Sequence, residues 1–189
     1  MNINNIKNKI IETYAPGLNS DFIMREFTLR CKTGKKQCIA IGFEAMIGTD
    51  IVNRNILSPL MIMKADVADD EICETVYRSL ITHVNVIMVD KFEDAIPLVN
   101  IGSCAIFVDG VDFIFVADVK NFPNRSLQNP ITENVIRGPQ QGFTESIRMN
   151  TAILRKVLRD ENLMIENINL GKRGKANAAL CYVRNIANE

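Results

Sequence analysis

The sequence predicts an α+β fold, in which a mixed and largely antiparallel sheet built from β-hairpins packs against helices. Two observations lead to this prediction. Apolar runs come in pairs joined by short turns, and Asp109-Gly110 between two such runs is a strong hairpin signal. Helical segments separate the pairs; residues 69–82 carry apolar side chains at helical spacing and acidic residues in the first turn, where the helix dipole favours them.

The first half of the chain predicts one hairpin followed by an interrupted helix. Two apolar runs, residues 22–29 and 37–43, flank a polar turn of five residues that contains a glycine. The next helix has a good N-cap at Thr49 or Asp50. We expect it to be interrupted at Pro59, which lacks the backbone N–H that a helix interior needs.

The second half predicts further strands and helices in alternation. Their expected bounds are 84–89, 104–108 and 113–116 for strands, 92–99 for a short helix, 143–159 for a long amphipathic helix, and 164–170 with 177–183 for a closing hairpin. The turn-rich stretch between residues 121 and 130 separates these elements into groups.

We therefore divide the chain into three parts. Residues 1–120 form a first α/β subdomain, and residues 121–142 form a linker with an Arg-Gly-Pro bend. Residues 143–189 contain the long helix and the closing hairpin. We expect this last part to pack on, or link to, a following subdomain.

Composition excludes several classes of protein. The 189 residues carry 22 basic and 22 acidic side chains, and 47% are apolar, which is typical of a globular protein and not of a coiled coil or a disordered tail. Zero net charge disfavours nucleic acid as a partner. No apolar run reaches the roughly 18 to 20 residues that span a bilayer, so we expect a soluble chain without a transmembrane helix. Residues 64–118 carry 11 acidic against 3 basic side chains, a polarity that suits association.

The residues that carry chemistry in enzymes are sparse. His83 is the only histidine and has no sequence signature for a catalytic partner, so we interpret it as structural. The acidic run at 66–71 lacks the glycine and glutamate spacing of a calcium loop, and the basic loop at 171–175 lacks the Ser or Thr of a phosphate-binding loop. Five cysteines without a C-x-x-C pair fit a reducing compartment. The sequence therefore predicts no enzyme, no metal and no cofactor.

The segment 133–156 is the most unusual part of the chain. Pro139 suits the first position of a helix, with Gly138 as the N-cap and Gln141 able to reach back to the cap. The long helix is therefore expected to begin at Pro139, with Phe143 already in its second turn.

Asn150 falls in the middle of the apolar arc of this helix when residues are projected at about 100° each. That arc contains Phe143, Ile147, Ile153, Leu154, Val157 and Leu158. A buried amide without a partner costs on the order of 1 to 3 kcal/mol. We therefore expect Asn150 to be buried and to hold a neighbouring backbone segment, with the Arg137-Gly138 loop as a candidate.

Arg148, Arg155 and Arg159 lie close together on the other side of the helix. Two interpretations stay open. The row is either a solvated face or a docking surface for acidic groups, for instance those of the acidic middle segment in a neighbouring copy.

Residues 135–156, with the sequence VIRGPQQGFTESIRMNTAILRK, resemble the signature of the GerA family of bacterial spore germination proteins. The segment GTDIVNRNILSPL at 48–60 and the ending AALCYVRNIA at 178–187 are also similar to the family. Gln140 and Gln141 depart from it, because family members commonly carry a basic and then an acidic residue there. Glutamine keeps the reach-back to the cap but removes two charges, so we do not expect a salt bridge that depends on those charges.

The resemblance implies the N-terminal domain of the A-subunit of a nutrient germinant receptor. Family A-subunits act with a permease-like B-subunit, a lipoprotein C-subunit and other A-subunit copies, in what is thought to be a nutrient-gated ion channel of the spore inner membrane. The domain is expected on the cytoplasmic side, and the membrane is reached only through a C-terminal part that this chain lacks. The chain therefore resembles a fragment or an isolated first subdomain.

The function expected is a non-enzymatic module that relays the germinant signal and mediates subunit assembly. The alternative is a domain that binds a small ligand, an amino acid or another anion, near the helix start at Gly138. The residues proposed for binding or interface are Arg137, Gly138, Pro139, Gly142, Phe143, Thr144, Glu145, Arg148, Asn150, Arg155 and Arg159.

Overall fold

Six α-helices and eight strands make up the part of the chain that the computed structural model describes, residues 1–62, 64–65, 68–122 and 142–188. The helices are α1 (Ile3–Tyr14), α2 (Thr49–Val52), α3 (Ser58–Ile62), α4 (Ile72–Thr75), α5 (Phe92–Asn100) and α6 (Ile147–Leu158), with π-helical turns at Asn53–Leu57 and Val76–Leu80 and a 3₁₀ turn at Asp69–Glu71. The strands are β1 (Phe22–Cys31), β2 (Gly34–Phe43), β3 (Lys64–Ala65), β4 (Val86–Val89), β5 (Cys104–Val108), β6 (Ile114–Ala117), β7 (Leu163–Leu170) and β8 (Ala176–Val183).

The strands form two sheets. Six strands lie in the order β3-β1-β2-β5-β6-β4, and every neighbouring pair is antiparallel except the short parallel pair of β1 with β3. The second sheet is the β7–β8 hairpin. The predicted α+β fold with a mixed, largely antiparallel sheet is confirmed. The division into subdomains stays a prediction.

The two predicted hairpins of the large sheet are present, but the first turn is tighter than expected. Cys31 pairs with Gly34, so two residues connect β1 to β2 and the strands extend further than the predicted runs. Gly34 has a φ of +137° and Gly110, in the turn before β6, a φ of +78°. Both values favour glycine because a side chain would be strained there.

The large sheet is buried on both faces because β5, β6 and the second half of β2 (residues 38–43) are built from apolar residues and glycine. Ile39 and Phe107 point to the side covered by α1 and α5, while Ala40 and Ile106 point to the side covered by α2, α3 and α4. The result is a layer of helices on each face of the sheet. Burial raises the pKa of the Cys104 thiol, which lies in this core, to about 12.

The predicted interruption of the helix at Pro59 is wrong. The chain continues from α2 through a π-helical turn and into α3, which ends at Ile62. Pro59 cannot donate to the carbonyl of Asn55, but that carbonyl instead accepts from the backbone N–H of Thr82 at 3.0 Å and from its hydroxyl at 3.3 Å. A partner from outside the helix therefore removes the main cost of the proline.

The predicted start of the long helix is also wrong. Residues 142–145 are not helical, so Phe143 does not lie in a second turn, and α6 begins at Ile147 with Ser146 as its N-cap. The Ser146 hydroxyl accepts from the backbone N–H of Met149 at 3.4 Å. Gly138, Pro139, Gln140 and Gln141 lie outside the described residues.

A core substitution tests the two-sided burial of the sheet. Phe107 is fully buried against Phe92, with ring centroids 6.1 Å apart, whereas Phe113 is 39% exposed. We expect Phe107→Ala to lower the free energy of unfolding by about 3–5 kcal/mol. The matched control Phe113→Ala is expected to cost about 1 kcal/mol or less. Equal losses in urea denaturation would contradict this packing.

Candidate functional site

Helix α6 faces the rest of the protein with its polar side. Its buried residues are Thr151, Ala152 and Arg155, while Val157 is 68% and Leu158 43% exposed. The helix is amphipathic as predicted, but its apolar arc is not buried: among the described residues Val157 and Leu158 are exposed, and Ile153 and Leu154 are half-buried. The residues that attach α6 and the β7–β8 hairpin to the large sheet are therefore polar.

Arg155 is the centre of this attachment. The side chain is 2% exposed, and its Nε and Nη2 atoms donate to the two carboxylate oxygens of Asp21 at 2.8 and 2.7 Å. Nη2 also donates to Asn19 Oδ1 at 2.8 Å, and Nη1 donates to the carbonyl of Leu163 at 3.0 Å. The guanidinium is thus paired in the two-pronged geometry that suits a carboxylate, and two of its three remaining N–H groups also donate to protein oxygens.

An aromatic cluster packs against the guanidinium of Arg155. The guanidinium carbon of Arg155 lies 3.8 Å from the ring centroid of Phe43, a cation–π contact. Phe43 packs edge-on against Phe22, and Phe22 stacks on Tyr14 with ring centroids 4.4 Å apart. Burial raises the pKa of the Tyr14 hydroxyl well above its usual value; nearby Glu161 adds to the rise and Arg155 opposes it.

The loop that contains Asn19 and Asp21 also holds the β7–β8 hairpin. Asn19 Oδ1 accepts from the backbone N–H of Ile165 at 3.1 Å, and the carbonyl of Ile165 accepts from the N–H of Ser20 at 2.8 Å. The Ser20 hydroxyl accepts from the backbone N–H of Asn167 at 2.9 Å. Residues 19–21 therefore anchor both α6 and β7.

Asn150 holds the segment that precedes α6. Its Oδ1 accepts from the backbone N–H of Thr144 at 2.7 Å, and its Nδ2 donates to the carbonyl of Thr144 at 2.7 Å. The side chain is half-buried, and it occupies both backbone groups of Thr144, which keeps residues 142–145 out of the helix. The alternative partner, the Arg137-Gly138 loop, lies outside the described residues.

Arg148 lies at the rim of a polar cleft of about 320 Å³. It donates from Nη2 to the carbonyl of Glu44 at 3.0 Å, and Nη1 lies 3.4 Å from the Glu44 carboxylate. Three asparagines of the hairpin also line this cleft. They are Asn167, Asn169 and Asn177, of which the last two are cross-strand partners.

The structure separates the three arginines that the sequence placed in one row. Arg155 is buried, so the solvated interpretation is wrong for this residue. It does contact an acidic group, but that group is Asp21 of the same chain. Docking of the row on a neighbouring copy stays a prediction. Arg148 and Arg159 are exposed, and Arg159 donates only to the carbonyl of Lys156, at 3.1 Å, among the described residues. Phe143 is 67% exposed and Glu145 is also exposed.

Sequence reasoning missed the partners of these arginines. Asp21, Asn19, Phe43 and Glu44 lie more than 100 residues from α6 along the chain, and no local motif connects them to it. His83, interpreted as structural, has its Nε2 2.8 Å from the carbonyl oxygen of Asp118.

The described residues contain no group of three or more His, Cys, Asp or Glu side chains that could hold a metal ion. Within the same ranges, none of the helices has the length and apolar character needed to cross a membrane.

The buried ion pair gives a prediction for stability. Arg155→Met removes the partner of Asp21 while keeping a side chain of similar length, and it leaves a buried carboxylate unpaired. We expect the free energy of unfolding to fall by about 3–5 kcal/mol. The control Arg159→Met changes the same charge on the exposed side and is expected to be nearly neutral. Equal effects of the two variants in chemical denaturation would show that Arg155 is not the anchor.

The chain resembles known spore proteins of bacilli. Stage V sporulation protein AF of Bacillus subtilis is 36% identical over 119 residues, which are 63% of this chain and 24% of that protein. Spore germination protein B1 of the same organism is 39% identical over 100 residues, 53% of this chain and 21% of that protein. Spore germination protein KA is 24% identical over 92% of this chain and 31% of its own length. The matched segments thus span about a fifth to a third of these relatives.

A solved structure has the same fold. The N-terminal domain of the A subunit of the Bacillus megaterium spore germinant receptor GerK3 matches with a TM-score of 0.72 and 23% identity, over 97% of this chain and 65% of that one. The family model for the Bacillus/Clostridium GerA spore germination protein matches residues 7–189. Because that match covers nearly the whole sequence, including the segment around α6 whose residues suggested it, the chain belongs to the GerA family of spore germination proteins.

Proposed function

We propose that this chain is the N-terminal domain of a germinant receptor A-subunit and that it mediates subunit assembly and relays the nutrient signal without catalysing a reaction. Membership of the GerA family and the fold shared with the GerK3 domain support the proposal. The observation that carries it is the outward-facing apolar arc of α6, since an apolar face exposed on one side of a helix favours contact with another protein surface.

Other apolar side chains in the C-terminal part of the chain are exposed as well. Leu170 is 54%, Leu180 52% and Ile186 80% exposed. Scattered exposed apolar residues are normal on a protein, but a helix that turns its apolar arc outward and its arginine inward is not. We call the arc of α6 formed by Ile153, Leu154, Val157 and Leu158 the assembly face.

The two ends of α6 are held with different strength, which suits a relay. Arg155 near the C-terminal end is buried in a fully paired contact, whereas Arg148 near the N-terminal end makes an exposed ion pair with Glu44 that contributes little stability. The N-terminal end can therefore shift at low cost while the other end stays anchored. In this proposal residues 137–148 form the hinge, and a partner biases the equilibrium between two packings.

The proposed partners are the permease-like B-subunit, the lipoprotein C-subunit and other copies of the A-subunit. The domain would lie on the cytoplasmic side of the spore inner membrane. The part with α6 and the β7–β8 hairpin would pack on, or link to, the next subdomain. No nucleic acid, metal or cofactor is part of this proposal.

A charge placed on the assembly face tests the proposal in spores that carry the complete receptor subunit. We expect Val157→Glu to leave the fold intact, because Val157 is 68% exposed, and to reduce both receptor assembly and nutrient-triggered germination at least about tenfold, since a buried unpaired charge at a contact costs several kcal/mol. Germination is followed as loss of optical density, and assembly by co-purification of the subunits.

Val84→Glu is the matched control. Val84 is 89% exposed in the segment before β4, so the same substitution there is expected to change neither readout. Wild-type germination in spores carrying Val157→Glu, or an equal defect in both variants, would contradict the proposal.

Binding of a small ligand is the second candidate function, and the polar cleft beside Arg148 favours it. The lining of this cleft includes three asparagines together with Arg148 and Glu44. Those groups can receive the carboxylate and the ammonium of an amino acid. The cleft lies at the N-terminal half of α6. Gly138, near which the sequence predicted a ligand site, lies outside the described residues.

Calorimetric titration with amino acids separates the two functions. If the polar cleft binds amino acids, we expect saturable heat on titration. We expect Arg148→Gln to lower the affinity about tenfold or more, the loss expected when a charge-assisted contact is removed. The control Arg159→Gln, outside the polar cleft, is expected to bind like the unaltered chain. Absence of saturable heat at millimolar amino acid would leave assembly as the function.

A further inference from the structure

A second cleft, of about 200 Å³, lies at the C-terminal end of α6 and is lined by three cations. Its lining residues are Met46, Ile101, Lys120, Phe122, Lys156 and Arg159, and we call it the basic cleft. We propose that the basic cleft binds the phosphate group of a small anion. This inference goes beyond the proposed role in assembly and does not depend on it.

The cations come from two separate parts of the chain, so their convergence is a property of the fold. Lys156 belongs to the last turn of α6 and Arg159 follows it. Lys120 follows β6, and its backbone forms an isolated antiparallel bridge with Ile47. The negative end of the α6 dipole accounts for cations on that helix, but it does not account for Lys120.

Gly102 lets Lys120 lie at the wall of the basic cleft. Its φ is +98°, and a Cβ atom at this position would lie 3.2 Å from Lys120 Cγ and 3.2 Å from the carbonyl oxygen of Met46. A larger residue would therefore push Lys120 away from the backbone around Met46. The position of this cation is set by close packing of the main chain.

The positive charge of the basic cleft is only partly balanced. Lys120 pairs with Asp118 at 3.1 Å, which is the one ion pair made by the three cations among the described residues. Lys156 Nζ lies 5.5 Å from the ring centroid of Phe122. Arg159 uses Nε for the carbonyl of Lys156, and its two terminal nitrogens have no hydrogen-bond partner in the described ranges. Bringing like charges together costs electrostatic energy, which a bound anion recovers.

The geometry favours a phosphate group on a small molecule. A phosphate offers several oxygens to a guanidinium fork and to ammonium groups at once, and the free nitrogens of Arg159 provide such a fork. Met46 and Ile101 add an apolar wall for the uncharged remainder of the ligand. A volume of about 200 Å³ limits that remainder to a few heavy atoms.

The proposal is tested by titrating the 189-residue chain with inorganic phosphate and following backbone amide shifts by NMR. We expect saturable shifts centred on residues 101–102, 120–122 and 156–159. The double variant Lys156→Ala/Arg159→Ala is expected to weaken binding about tenfold or more, the loss that follows removal of charge-assisted contacts. Both side chains are exposed, so the variant is expected to fold.

The control is Lys32→Ala/Lys35→Ala, which removes the same charge from exposed residues near the β1–β2 turn. We expect this control to bind phosphate like the unaltered chain. A second arm measures binding to vesicles of phosphatidic acid in phosphatidylcholine, where the phosphate belongs to a lipid headgroup. Weaker binding in Lys156→Ala/Arg159→Ala but not in the control supports the site. The arm in which the weakening occurs tells whether the phosphate belongs to a free anion or to a lipid headgroup. Absence of saturable binding in both arms, or equal weakening by the control, would overturn the proposal.

Discussion

The contact between Arg155 and Asp21 is the interaction on which the C-terminal part of the structure depends. A guanidinium can be buried only if its charge and donors are used, and here a carboxylate, an amide oxygen, a backbone carbonyl and an aromatic face use them. This requirement sets the rotation of α6. Because the arginine side faces inward, part of the apolar side faces outward, and among the described residues this exposed surface lies next to a firmly fixed one.

The sequence predicted the sheet better than it predicted the site. Apolar runs and turn residues located most strands to within a few residues, because burial of alternate faces and the chemistry of tight turns are local properties. A helical projection shows which residues share a face, but not which face is turned inward. For α6 that choice depends on Asp21, whose position 134 residues away leaves no trace in the local pattern.

The two corrected helix bounds have the same physical origin. A proline usually ends a helix because it cannot donate a backbone hydrogen bond. At Pro59 the backbone N–H of Thr82, from a distant part of the chain, replaces the missing donor. Near α6, helix propensity competes with the side chain of Asn150, which occupies the backbone of Thr144. In both cases one contact that helix propensity does not describe decides where the helix continues or begins. The spacing of residues along the sequence does not identify the partner in that contact.

The sequence separation of the central ion pair also bears on the order of folding. Closing a loop of 134 residues has a large entropic cost, so contacts of this range form after local hairpins and helices. During synthesis, the aromatic cluster of Tyr14, Phe22 and Phe43 leaves the ribosome long before Arg155 does. The nascent chain therefore exposes this cluster, together with an unpaired Asp21, until α6 arrives to cover them, and that interval is when the domain is most open to aggregation and to chaperones.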